Sequence, residues 1–343
     1  MLDSKNKERE TLSRYDLDLK LLNNYDFVVS DVIPVRKVFI LVTNKGNKIL
    51  KRVEYNLAHL EFINSIIEHL RGQGFCNVMN YERNKKGDIY TQWKESTYVV
   101  MKLVEGRECE FNNPVELSIV TNTLAKMHLA SKGFNIKIHQ GRYVYGDLVE
   151  KFQHKLQELK TFKTMVLTYE NKSDFDKIFL NHVDKFIEDM KKSIDIIKGS
   201  KYYELLEEKD KFAICHHDLA YHNILMDNDE ASFIDFDYAI VDLRVHDLCN
   251  FINKVVKNFA YDFEKLKDII GEYNKVSLLD PRELDVLYGM LWFPDGFYSI
   301  SKDYYCKRKL WGENSFNYKL AKKVENLHER EEMLRKFKES YEL

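Results

Sequence analysis

The chain has 343 residues, 44% of them hydrophobic and 13% aromatic, which is enough to bury a sizeable core and long enough for two domains or lobes. Its formal net charge of −2, with lysines and acids interspersed, gives no global attraction for nucleic acid, and no apolar run approaches the ~20 residues of a membrane helix. The polar start MLDSKNKERETLSRYDLDLK lacks a signal-peptide core, so a cytoplasmic protein is expected, and the five scattered cysteines (Cys76, Cys109, Cys215, Cys249, Cys306), none in a CxxC, read as reduced and mostly buried rather than as a zinc site.

Taken in chain order, KVFILVTNKGNKILKRV, within residues 27–53, places two β-rich runs around TNKGNK, a good hairpin turn. In the following YNLAHLEFINSIIEHLRGQGF, Leu57, Leu60, Ile63, Ile67 and Leu70 recur at helical spacing and Gly72 is a stop. IYTQW and STYVVMKLV read as two further strands, so residues 25–104 predict strand, strand, helix, strand, strand. Beyond Gly106 the pattern turns helical. PVELSIVTNTLAKMHLASKGF runs from Pro114, a favoured first helical position, to Gly133, and residues 147–208 predict long, charged amphipathic helix. Helices return from Asp247 to the end. These patterns predict an α+β, bilobal chain: a small β-rich N-terminal lobe (1–104), a hinge near Met101–Gly106, and a larger helical C-terminal lobe (105–343).

The chemistry concentrates in CHHDLAYHNILMDNDEASFIDFDYA, residues 215–239. FAIC (212–215) reads as a short strand, HHDLAYH as a loop, and NILM with SFID as an antiparallel hairpin around DNDE. Centred on Asp229, that hairpin sets Asn223 opposite Asp235, with about 4.5–5.5 Å between opposed positions. An amide oxygen and a carboxylate at that separation suit Mg²⁺, which takes few protein ligands and leaves the rest to phosphate and water. Asp218, in the preceding loop, is a third acid nearby. An Asp, an Asn five residues later, and an Asp ending a second strand is the phosphotransfer core of kinases: HHDLAYHN supplies H-x-D-x-x-x-x-N, and IDFD stands where kinases carry D-F-G. The bland alternative is a solvated loop and an exposed hairpin. A histidine-rich metal site of His216, His217 and His222 is a third reading, but the spacing of His217 and His222 suits no helix face.

These residues resemble the aminoglycoside phosphotransferase and choline kinase group, whose catalytic loop usually reads H-G-D-x-x-x-x-N and whose metal strand reads I-D-[FW]-[DE]; here His217 replaces the glycine. HHDLAYHNIL, IDFDYAIVDLRVHDLCNFI, LWFPDGFYSISKDYYCKRKLW, KRVEYNLAHLEFINSIIEHLRGQGF and LAKMHLASKGF narrow the likeness to the CotS-type spore coat proteins of endospore-forming bacteria, over about residues 25–340. The resemblance implies a protein-kinase-like fold of the aminoglycoside phosphotransferase type, Mg²⁺ with ATP, and residence in the spore coat beside other coat proteins. It implies Asp218 as the group that accepts or orients the acceptor's hydroxyl proton, Asn223 and Asp235 as metal ligands, and Asp247 and His216 as braces of the loop. Asp237 would be a supporting acid. Lys51, with Lys48 and Arg52 as competitors, would hold the phosphates; Glu61, with Glu68 as competitor, would pair with it. Adenine would lie against backbone groups of Lys102 and Val104, with Met101 behind. The phosphate-covering loop, expected at about Ser30–Lys37, has no glycine to bring backbone N–H groups close to phosphate, leaving Arg36 or Lys37 as charged substitutes.

The implied reaction moves the γ-phosphoryl of ATP to a hydroxyl of a small molecule or sugar, because no A-P-E segment follows IDFD as it does in protein kinases. Nucleic acid and membrane are not expected partners. Two other readings stand beside it: a structural coat component that keeps a kinase fold, and an antibiotic or choline-type kinase. The late aromatics Trp292, Phe293, Phe297, Tyr304, Tyr305 and Trp311 suit either an acceptor pocket or a core under the last helices.

Overall fold

The computed structural model describes residues 19–134, 142 and 146–343. Most of the polar N-terminal stretch lies outside them. The described residues up to Ile67, with Val78–Glu105, form one compact unit; Glu68–Asn77 and the described residues from Gly106 onward form another.

The first unit is built on an antiparallel sheet of β1 (Val29–Val35), β2 (Val38–Thr43), β3 (Lys48–Val53), β4 (Thr91–Trp93) and β5 (Ser96–Lys102), in the order β1-β2-β3-β5-β4. Strand alternation sends Val32, Leu41, Leu50, Tyr98 and Val100 into a core closed by Leu21, Leu22 and Tyr25. The buried Tyr25 hydroxyl accepts a hydrogen bond from Thr91 Oγ1 at 3.1 Å. Helix α1 (Leu57–Gly72) buries Leu60, Ile63, Ile67 and Leu70 as their spacing predicts, with Phe62 and Ile66 between them.

The expected phosphate-covering loop needs correction. Residues 29–35 are strand, and only Arg36 and Lys37 make the turn, since Val35 pairs directly with Val38. Pro34 is tolerated because β1 is the edge of the sheet. Arg36 itself adopts φ 52, a conformation usually left to glycine or asparagine.

In the second unit, Phe75 lies 6.4 Å from the Phe233 ring, and Asn77's carbonyl accepts the Phe233 N–H at 2.9 Å. Residues 68–77, assigned from sequence to the N-terminal lobe, therefore belong with this unit. Three short strands, β6 (Arg107–Glu108), β8 (Ile224–Asp227) and β9 (Glu230–Phe233), form one ribbon; β7 (Phe212–Cys215) and β10 (Ile240–Leu243) form another. At Gly106, φ +132, any Cβ would stand 2.7 Å from the Met226 carbonyl oxygen, so only glycine lets the chain pass the hairpin there.

Helix α2 (Pro114–Ala130) starts where the Asn113 side chain accepts the Val115 N–H. The stretch 147–208 is three helices rather than one: α3 (Leu148–Leu167), α4 (Asp174–Gly199) and α5 (Tyr202–Leu205). Ser173 and Asp176 break it with a reciprocal capping box. After the hairpins come α6 (Arg244–Val256), α7 (Phe263–Val276), α8 (Pro281–Trp292), α9 (Asp295–Tyr305), α10 (Glu313–Val324) and α11 (Leu327–Ser340).

The late aromatics are mainly core. Phe297 stacks on Phe186 and Phe179, with centroids 3.8 and 5.7 Å apart, and Tyr304 stacks on Phe175 at 3.8 Å. Only Trp311 of the group is exposed. Two buried ion pairs tie these helices: Arg244 grips Glu283 through two hydrogen bonds of 2.6 and 2.7 Å, and Arg330 donates to Asp189 at 3.0 Å. No described helix is long and apolar enough to cross a membrane. Cys109, Cys215 and Cys249 are buried, Cys76 and Cys306 exposed, and all five are free.

Candidate active site

The loop that leaves β7 is anchored from below by a buried anion. Asp247, fully buried in the first turn of α6, accepts the backbone N–H of His216 at 2.7 Å and of His217 at 2.8 Å. His128, on α2, donates from Nε2 to the same carboxylate at 3.3 Å, and the Tyr273 hydroxyl lies 2.7 Å from its Nδ1. Burial alone would raise Asp247; the hydrogen bond and field of His128, aided by His216 and the His217 N–H, outweigh it and hold the carboxyl at about 2. His128, Cys215 and Asp247 come close enough to hold a metal. Asp247's oxygens are already taken up by hydrogen bonds, however, and burial pushes the Cys215 thiol well up, so the cluster acts as a brace.

His217 takes φ 66 at the position where the resembling group has glycine. Burial, then neighbouring His246, pushes its imidazole down to about 4. Being neutral, it can donate from Nε2 to His246 Nε2, 3.3 Å away, while His246 Nδ1 donates to Asp242 at 2.6 Å.

Asp218 follows, half-buried. Asn223 Nδ2 donates to its backbone carbonyl at 2.9 Å and to its Oδ2 at 3.2 Å. Its Oδ1 pairs with Lys254 of α6. The Asn223 amide nitrogen is thus committed to Asp218, which leaves its side-chain oxygen as the group to meet a cation.

The hairpin register differs from the expected one. Ile224 pairs with Phe233 and Asp227 with Glu230, so the turn is the two residues Asn228 and Asp229. Asn223 therefore faces Ile234, whose N–H donates to its carbonyl at 3.0 Å, and Asp235 lies one residue beyond. Asn228, at φ 51, makes the tight turn possible. Asp235 sits at φ 65, ψ 66, a reversal that leads into the turn Phe236–Tyr238.

His216 links the two halves. Its Nε2–H donates to the Ile234 carbonyl at 2.9 Å, and its Nδ1 accepts the Asp218 N–H at 3.3 Å. Burial lowers its pKa, while the nearby charges of Asp247, Asp218 and Asp235 oppose that. Asp218 and Asp235 thus act on one buried imidazole, and His216 has the bracing place that sequence assigned to it. An amide oxygen on Asn223 and a carboxylate on Asp235 are hard ligands of the kind Mg²⁺ takes when phosphate and water complete its shell.

In the first unit, β3 sorts its lysines by alternation. Lys48 is buried and its ammonium pairs with Glu82; Arg52 is exposed; Lys51 lies on the opposite face from Lys48, half-buried. Glu61 lies on the exposed arc of α1, away from the buried Leu60, Phe62 and Ile63. Met101 is buried opposite Ile49 of β3. The Lys102 N–H donates to the Asn80 carbonyl at 3.0 Å, so a base could use only its carbonyl together with the Val104 backbone.

Lys254, Asp242 and His246 were not singled out from sequence. Lys254 had a signal: it stands two helical turns beyond Asp247 in VHDLCNFINK, on the same face of α6.

The family model described as "Spore coat putative kinase YutH" matches residues 19–337. The chain belongs to this family. It is also 24% identical to spore coat protein S of Bacillus subtilis (strain 168) over 310 residues, 89% of this chain and 88% of that protein. Among solved structures, an aminoglycoside phosphotransferase from Alicyclobacillus acidocaldarius subsp. acidocaldarius DSM 446 superposes with a TM-score of 0.84 at 18% identity, covering 95% of this chain and 96% of the other. Spectinomycin phosphotransferase, solved with ADP and spectinomycin, gives 0.67 at 16% identity, covering 93% and 96%. At these identities the likeness shows the fold: an α+β, kinase-like fold of the aminoglycoside phosphotransferase type, with a small antiparallel sheet and a larger helical part.

Proposed function

We propose that this coat-family protein is an ATP-dependent phosphotransferase whose acceptor is a hydroxyl of a small molecule or sugar, acting in the spore coat beside other coat proteins. The observation that carries the reading is the Asp218–Asn223 hydrogen-bonded pair, fixed by Asp247 below and joined through His216 to the carbonyl of Ile234, next to Asp235. A loop with no chemistry to perform has no need of that many buried polar supports. In the reaction the acceptor oxygen bonds to the γ-phosphorus, the bond to the β-phosphate oxygen breaks, ADP leaves, and the hydroxyl proton passes to Asp218. Lys254 orients the Asp218 carboxylate. Asn223 Oδ1 and Asp235 would hold Mg²⁺, which when bound neutralises phosphate charge. Lys51 would hold the phosphates, and the Lys102 carbonyl and Val104 backbone would pair with adenine in front of Met101. The ADP found in the spectinomycin phosphotransferase structure supports nucleotide as the donor.

A second reading, a structural coat component, is favoured by one observation. The turn expected to cover phosphate is only Arg36 and Lys37, without a glycine. ADP release measured with Mg-ATP and the polar small molecules of sporulating cells separates the two. The wild type should turn over, and Asp218→Asn should be about 10²–10⁴-fold slower, the usual worth of a general base. Equal rates, or no ADP from either, would leave only the structural reading.

A further inference from the structure

The inference concerns the acceptor and rests on the phosphotransferase reading. Lys254, which pairs with Asp218, also lines a pocket of about 790 Å³ formed by α6, the segment after it, the start of α9 and the end of α10. Whatever reaches Asp218 from that side must suit the lining.

The lining is rich in cations: Lys254, Lys257, Lys322, Lys323 and Arg330, against the acids Asp295 and Glu325. Most of these charges are already matched. Lys322 pairs with Glu325 at 2.6 Å, Arg330 with Asp189 at 3.0 Å, Lys254 with Asp218, and Asp295 with Lys155 at 2.5 Å. Lys257 and Lys323 remain, and neither has an ion-pair partner among the described residues. Lys323 lies along Gly296, where a Cβ would meet its Nζ at 3.2 Å, so the glycine makes room for it at the pocket wall. Lys257 stands exposed at the rim, and desolvation, then the charges of Lys323 and Lys254, lower it to about 8. Burial and Lys319 lower Lys323 too, and the nearby Asp295 offsets this only in part. Asn250, on the same lining, has an Nδ2 donor with no hydrogen-bond partner.

Two unpaired ammonium groups that disfavour each other and an idle amide donor form a site for negative charge. We infer that the acceptor is an anionic hydroxyl compound, carrying a carboxylate or a phosphate, which Lys257 and Lys323 hold while its hydroxyl is turned toward Asp218. A polycationic antibiotic or choline would meet repulsion from the same groups.

The test compares hydroxyl compounds of different charge. Titration calorimetry at low salt with glucose, glucose 6-phosphate, gluconate and choline would be run on the wild type, on Lys257→Met/Lys323→Met, and on the charge-keeping Lys257→Arg/Lys323→Arg. Glucose 6-phosphate or gluconate should bind about tenfold or more tighter than glucose, a charge-assisted hydrogen bond's worth. The Met variant should lose that preference and the Arg variant should keep it. Which of the two anions binds tighter tells phosphate from carboxylate. Equal binding of glucose and both anions, tighter binding of choline, no binding of either anion, or a preference that survives in the Met variant would each overturn the inference. Mg-ATP binding measured on the same wild-type protein keeps the outcomes apart: its failure refutes the phosphotransferase reading, and its success with no anion preference refutes only this one.

Discussion

At position 217 a histidine occupies backbone space that glycine would fill at no steric cost, φ 66, and does so with its half-buried ring 4.9 Å from that of His246. This makes the loop sensitive to acid. His217 has an ordinary pKa of 6.5 and a folded value of about 4. Between these values the unfolded chain binds a proton that the folded one does not, so stability rises with pH across that window and falls on acidification through it. The contribution is at most about 3 kcal/mol. Asp247, held at about 2, has linkage of the same sign in a lower window: its stability is present above the ordinary carboxylate range and lost only as pH falls toward the folded value. His217→Asn keeps a residue that tolerates positive φ and removes the titration. Urea unfolding from pH 6.5 to 4 should therefore show a shallower loss for the variant than for the wild type; parallel curves would contradict the assignment. Asp218, Asn223 and Asp235 were legible because their types and spacing are local. Lys254's contact with Asp218 was not, since it depends on which arc of α6 faces inward.

Among the elements, strands and helices whose faces are buried on one side followed their periodicity: Leu60, Ile63, Ile67 and Leu70 fall where α1 needs them. The misreadings lie at turns. A one-residue shift of pairing partner moved Asn223 from facing Asp235 to facing Ile234, because a two-residue turn through Asn228 and Asp229 is as compatible with DNDE as a turn centred on Asp229. The single helix expected over 147–208 breaks at a Ser-x-x-Asp box that a charged, periodic stretch conceals. Helix α8 carries a device of the same kind with a larger consequence. Its Glu283 completes a capping box with Asp280 and, fully buried, neutralises Arg244 of α6. Removing one partner of such a pair leaves a buried charge uncompensated. Glu283→Ala should therefore cost about 3–5 kcal/mol in urea unfolding, and Arg244→Met with Glu283→Leu should cost less than the single change. A double variant weaker than the single one would show that the pair adds net stability of its own.

For the whole molecule, the small sheet followed by a large helical part was readable because hydrophobic period changes from two to about 3.6 near Gly106. Family membership and the fold agree with the motif around Asp218. The pocket chemistry was not readable, because Lys257 and Lys323 are far apart in sequence and only the packing of α6, α9 and α10 brings them to one lining. We propose that Asp235 serves the ground-state binding of Mg-ATP while Asp218 serves only the transfer step. Calorimetric titration of Mg-ATP into wild type, Asp235→Ala and Asp218→Asn tests it most directly. Mg²⁺-dependent binding is expected for wild type and for Asp218→Asn, with loss of that binding in Asp235→Ala. Equal loss in both variants, or binding by wild type that is indifferent to Mg²⁺, would contradict it.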